Sequence, residues 1–153
     1  MLDVKPYRQK PGFCGPASLK MVLDFYGVEK SEEELGKITK CDPDKGITGL
    51  AIVKAAEKLG FAGFLKDYAK LEDIKKFLTK KIPVIVEWFS VDDGHFSVVV
   101  EMDKKYIYLQ DPELAGVRKI DLETFERIWF SFDTKTIRKE RDLVLRRMVV
   151  IEK

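Results

Sequence analysis

The sequence contains no asparagine, and glutamine stands only at positions 9 and 110. Histidine occurs once, at position 95. These absences exclude any mechanism that needs an Asn side chain or a pair of imidazoles. The two cysteines, Cys14 and Cys41, are too few for a disulfide framework and lack the CxxC spacing of a redox pair. Neither sign of charge prevails: 28 Lys and Arg stand against 26 Asp and Glu, a net +2. Such a balance gives no general attraction to nucleic acid or to an anionic membrane. The apolar runs IPVIV and FSVVV are five residues long, against the ~20 that span a bilayer, so no membrane insertion is expected. The opening MLDVKPYRQKPGF has no apolar stretch like that of a signal peptide. A reducing, cytoplasmic setting is the expectation.

What is present suffices for one core. The 153 residues are 45% hydrophobic, with 10 Phe, 5 Tyr and 2 Trp, and predict a single domain over residues 1–153. Charged residues reach 35%, above the usual ~25%. Abundant Lys and Glu with scarce Asn, Gln and Cys is the composition expected of a thermophile protein.

Pro6, Pro11 and Gly12 make residues 1–13 an extended coil. A helix is expected over 15–26, with Pro16 in its first turn, Gly27 past its end, and Leu19, Val22, Leu23 and Tyr26 on one stripe. Ser31 and Glu34 form a capping box for a second helix over about 31–40. The loop 42–49 follows, then a helix over about 49–59 capped by Thr48, and a fourth over about 71–81. Beyond Pro83 the texture changes to VIVEWF, HFSVVVEM and YIYLQD, runs of strand length, with MDKK as a hairpin turn. A short helix over 122–130 and a final strand or helix in DLVLRRMVVIEK close the chain. Helices first and strands second predict an α+β fold, with N-terminal helices packed on a C-terminal antiparallel sheet.

Cys14 stands at a helix start, where free N–H groups and the positive dipole end stabilise a thiolate. His95 follows DDG and opens an apolar strand. Asp111 ends the next strand. Counting from the hairpin turn at 103–104, Val98 pairs near Ile107 to Leu109, and His95 near Asp111 or Pro112. Alone, each residue also reads as ordinary: a core cysteine, a surface histidine, an Asp-Pro turn. Together they are a nucleophile, its base and the acid that orients the base. Gln9, five residues before Cys14, offers a side-chain NH₂ for an oxyanion hole beside the Cys14 N–H.

Other chemistries find no support. There is no GxSxG, GxxxxGK[ST] or GxGxxG. A calcium loop starting at Asp42 fails because its twelfth position is Val53. Two Cys and one His have no recognisable zinc spacing, so neither metal nor organic cofactor is expected. Lys75, Lys76, Lys80 and Lys81, and the basic cluster from Lys135 to Arg147, read as solvated surface.

QKPGFCGPASLKMVLDFYG, EELGKITKCDPDKGITGLAIVKAAEKLGF, IPVIVEW, GHFSVVVEMDKKYIYLQDPELAG and ETFERIW occur in this order over about residues 5–132. The set resembles the C39 family of papain-like cysteine peptidases, which process bacteriocin precursors, often as the first domain of a peptide-exporting ABC transporter. The resemblance implies a papain-like fold, a peptide or precursor-peptide substrate, and an ABC transporter as partner. It makes Cys14 the nucleophile, His95 the base, Asp111 the orienting acid and Gln9 the oxyanion donor. Cys41 falls where family members often carry a non-catalytic cysteine. Phe13 departs from the acidic residue usual before the nucleophile. Without transporter segments the chain is expected to be a stand-alone relative or an excised domain. The resemblance implies hydrolysis after a double-glycine leader. A non-catalytic leader-binding module and a papain-like amidase or acyltransferase are its alternatives.

Overall fold

The computed structural model describes residues 1–91, 93–132, 134 and 136–153. Asp92 of the DDG turn and Lys135 of the C-terminal basic cluster lie outside the described residues. The helical half comes first: α1 (Cys14–Phe25), α2 (Glu32–Thr39) and α3 (Gly49–Lys58). Their ends follow local chemistry. Ser31 Oγ accepts from the Glu34 N–H at 3.0 Å and Glu34 Oε1 accepts from the Ser31 N–H at 3.5 Å, a reciprocal cap. Thr48 Oγ1 accepts from the Ala51 N–H at 3.2 Å. Gly27 and Gly60 take positive φ at the ends of α1 and α3. The apolar stripe of α1 is buried at Leu19, Val22 and Leu23. Tyr26 sits at the rim instead, donating its OH to the Ile151 carbonyl at 2.7 Å.

The sheet half holds β1 (Ala62–Lys66), α4 (Leu71–Thr79), β2 (Val84–Ser90), β3 (Asp93–Met102), β4 (Tyr106–Asp111), β5 (Gly116–Asp121), α5 (Leu122–Ile128), β6 (Phe130–Phe132), β7 (Leu143–Leu145) and β8 (Arg147–Glu152). Six strands form one sheet in the order β1-β8-β2-β3-β4-β5, with β6 and β7 pairing apart. All six strands of the large sheet pair antiparallel. Both faces of the central strands are covered, so VIVEWF reads as one apolar run rather than an alternation. Phe96, Val98 and Val100 of β3 pack with Leu19, Leu23 and Ile52 on one side. Val99 packs with Ile74, Phe125 and Trp129 on the other.

The helices-then-strands order is interrupted. β1 falls between α3 and α4 in sequence and lies at the far edge of the sheet, against the C-terminal β8. β5 is a second strand that the sequence reading left unassigned; both are edge strands with half-exposed alternation. The β3–β4 register also differs from the count. Met102 faces Ile107, so the turn is centred on Lys104 and Lys105, and a bulge between Val99 and Glu101 then sets Val98 opposite Gln110. Continuing that register puts Asp111 across from Ser97, with His95 two residues further along the same face.

Candidate active site

Cys14 is the first residue of α1. Its approach is fixed by Gly12, whose φ of +80° and contact with the loop after Cys41 leave no room for a side chain: a Cβ there would lie 2.0 Å from the Pro43 carbonyl oxygen. Phe13 caps the helix without a side-chain hydrogen bond, and the first turn carries no acidic residue. The N–H groups of Cys14 and Gly15 therefore point out of the helix start with no intrahelical acceptor, and Pro16 has none to offer.

The thiol of Cys14 lies beside His95 and is electrostatically coupled to it. The His95 Nε2 lies 2.7 Å from Asp111 Oδ1, which leaves the Nδ1 edge for the thiol. His95 is 6% exposed and Asp111 is fully buried. Asp111 is held from three further directions. The Glu113 N–H donates to Oδ1 at 2.8 Å, the Arg118 Nε donates to Oδ2, and the Ala115 N–H donates to the Asp111 carbonyl. Burial pushes the Asp111 carboxyl up, but His95, then Arg118 and the Glu113 N–H, hold it below its usual 3.8. Asp111 is thus an ionised acceptor, so Nε2 carries the proton between them. For His95, burial opposes the charged ring. The hydrogen bond to Asp111 and the interaction with Cys14 prevail and raise it from 6.5 to about 9.

Trp88 closes the ring's other side, 5.6 Å edge-on, and donates its indole N–H to Ser97 Oγ at 3.0 Å. The Arg118 guanidinium lies 5.7 Å over the same indole. Arg118 pairs with Leu109 across β4–β5 and is thereby a diagonal neighbour of Asp111 on one face. Sequence reasoning missed Arg118, Trp88 and Glu113. The signal for Arg118 was a hairpin in DPELAGVRK, legible only once β5 is recognised.

Gln9 is tied to this end of the sheet by its own N–H, which donates to the Pro112 carbonyl at 2.9 Å. The next N–H, of Lys10, donates to Oε2 of the buried Glu32 at 2.9 Å. The Gln9 side chain is held less firmly. Its Nε2 donates to the Lys10 carbonyl at 3.3 Å, and its buried Oε1 has no partner among the described residues.

Cys41 is of a different kind. Its thiol lies 3.6 Å from the Gly12 carbonyl. Burial first, then the charges of Cys14, Asp42 and Glu32, raise it to about 11. At neutral pH it stays a thiol and a poor nucleophile. His95, Asp111 and Glu113 offer ligand atoms within 4.8 Å of one another. The Arg118 guanidinium on Asp111 already supplies positive charge at this cluster. Among the described residues no helix is long and apolar enough to cross a membrane.

The model of the peptidase C39 family matches residues 7–137. The chain belongs to the peptidase C39 family. It is 33% identical over 122 residues to the transport/processing ATP-binding protein ComA of Streptococcus pneumoniae, a match that covers 76% of this chain and 16% of that protein. To an uncharacterized protein of Methanothermobacter thermautotrophicus it is 32% identical over 117 residues, 76% of this chain and 75% of that one. The peptidase domain of a Streptococcus ComA superposes with a TM-score of 0.75 at 24% identity, over 97% of this chain and 98% of that domain. A double-glycine-motif protease from an AMS/PCAT transporter, solved with its leader peptide, gives 0.72 at 26%, over 97% and 89%. The C39 architecture, helices against an antiparallel sheet, is the papain-like fold expected from the sequence.

Proposed function

We propose that this C39 domain is a cysteine peptidase that uses Cys14, His95, Asp111 and Gln9. The observation that carries the reading is the 2.7 Å bond of His95 to a fully buried Asp111, with Cys14 beside that ring at a helix start that has no side-chain cap. His95 holds the thiol's proton as the imidazolium, and Cys14 Sγ attacks the scissile carbonyl carbon as the thiolate. The carbonyl oxygen becomes an oxyanion facing the Cys14 N–H and the Gln9 amide. The imidazolium then gives its proton to the leaving amine as the C–N bond breaks, and a thioester remains. Water, deprotonated by His95, hydrolyses that thioester and restores the thiol. Asp111 holds the ring tautomer throughout.

The substrate is a precursor peptide cut after a double-glycine leader, and the partner is an ABC transporter. Supporting this are the transport/processing relatives and the double-glycine-motif protease in complex with its leader. Cys14→Ala should abolish cleavage of a peptide carrying a Gly-Gly junction, with the melting temperature kept. Cleavage that persists in Cys14→Ala sinks the proposal. Small amides turning over where such peptides do not would move the reading to an amidase.

A further inference from the structure

Glu113 has no part in the mechanism above, yet it faces the same two cations as Asp111. Its Oε2 lies 3.8 Å from His95 Nε2 and 3.9 Å from Arg118 Nη2. Its backbone is fixed at both ends. The N–H donates to Asp111, and the carbonyl accepts from Arg8 Nη1 at 2.9 Å, while Arg8 Nη2 donates to the Leu114 carbonyl at 3.1 Å. The Glu113 side chain is 56% exposed. Closing about 1 Å would bring its carboxylate to hydrogen-bond distance of the imidazole. Among the described residues, the charged or titratable groups around His95 are Cys14 from α1, Asp111 from the end of β4, Glu113 two residues beyond it, and Arg118 from β5 behind Asp111. Trp88 of β2 adds an uncharged wall.

We propose that Glu113 is a second acid for His95, a positioning residue that shares the imidazolium and Arg118 with Asp111 and takes over both when Asp111 loses its charge. The kinetic half of this rests on the peptidase reading; the titration half does not. Because His95 is the sole histidine, its ring resonances titrate in NMR without ambiguity. Glu113→Gln in the wild type should lower the His95 midpoint by less than about half a pH unit, since the group is solvated. In an Asp111→Asn background the same change should lower it by about one pH unit, because Glu113 has moved in. The double variant should also lose about fivefold more kcat/KM than the product of the single losses.

Equal midpoint shifts in both backgrounds overturn the inference, whatever the turnover. A wild type with no turnover sinks the peptidase reading and leaves the titration result standing. Should Asp111→Asn fail to fold, Arg118→Gln is the second background. There Glu113 is released from Arg118 to His95, so Glu113→Gln must again shift the midpoint more than in the wild type. An unchanged shift there also overturns the inference.

Discussion

The two ends of the site are built differently. On the acid side, Asp111 is fully buried and its side chain accepts from His95, Arg118 and the Glu113 N–H at once. On the nucleophile side, Phe13 caps α1 with backbone alone, and the Gln9 amide rests on a 3.3 Å contact with one buried oxygen unpartnered. The acid side is over-determined and its orientation is set before any ligand arrives. The proposed nucleophile side leaves the first N–H groups of α1 without an intrahelical acceptor and the Gln9 donor on a long contact, which is the arrangement that gains when an oxyanion forms in front of them. The division predicts that changes on the acid side cost stability as well as activity, and that changes around Gln9 cost activity alone.

The largest effect should come from Asp111→Ala. It leaves the Arg118 guanidinium and the buried imidazole to the solvated Glu113 alone, a loss of about 3 kcal/mol for a broken buried ion pair. Urea unfolding should show the midpoint falling with an unchanged slope. A variant as stable as the parent would erase the contrast between the two ends.

The pH dependence comes next. His95 is raised from 6.5 to about 9 in the folded chain, so the folded state binds its proton more tightly than the unfolded one. That contribution is complete below pH 6.5 and is lost as pH rises through about 9. Asp111 is held below 3.8, so its contribution is present above 3.8 and is lost as pH falls further. Stability should be greatest between about pH 4 and 6.5 and decline by about 2–3 kcal/mol toward pH 9. In His95→Gln the alkaline decline should flatten; a decline that persists there assigns it to other groups.

This contrast also governs how much of the site could be read from the sequence. Cys14 was legible because Pro16 and Gly27 bracket a helix, so its place at the start followed from local signals. His95 and Asp111 were legible as neighbours from hairpin spacing, although the turn is centred on Lys104 and Lys105 rather than on 103–104, and the bulge after Val99 takes back only one residue of that offset, so that Asp111 falls across from Ser97 and not His95. A one-residue insertion leaves no mark in composition. Arg118 and Glu113 were not legible. They depend on β5, an edge strand whose half-exposed residues carry little of the apolar pattern that betrays a central strand. β1 escaped for the same reason, and its pairing with β8 joins residues about ninety positions apart, as Ala62 opposite Glu152. Long-range pairing is invisible to any local window.

Reactivity separates the two thiols in the same way. Cys41 is raised to about 11 by burial and by nearby charge, whereas Cys14 lies at the helix start against His95. Iodoacetamide at pH 7.5 should therefore modify Cys14 and spare Cys41, by mass spectrometry of the digested chain. His95→Ala should slow the labelling of Cys14 toward that of Cys41. Labelling of both cysteines at one rate would remove the electrostatic distinction between them.

The smallest expected change in stability is that of Gln9→Ala. The backbone bonds that hold this segment, to Pro112 and Glu32, do not use the side chain. What the side chain contributes in the free protein is one long contact and an orphaned buried oxygen, which together stabilise little. Unfolding should stay within about 0.5 kcal/mol of the parent. Activity should fall far more if Gln9 acts as proposed, since removal of an oxyanion donor costs about a hundredfold in kcat. A thiol alkylation rate at Cys14 that is unchanged in the same variant would show that the nucleophile is intact and that the loss lies in stabilising the tetrahedral intermediate. If Gln9→Ala instead destabilised the chain as much as Asp111→Ala, the nucleophile side would be as firmly built as the acid side, and Gln9 would have to be reassigned to the fold.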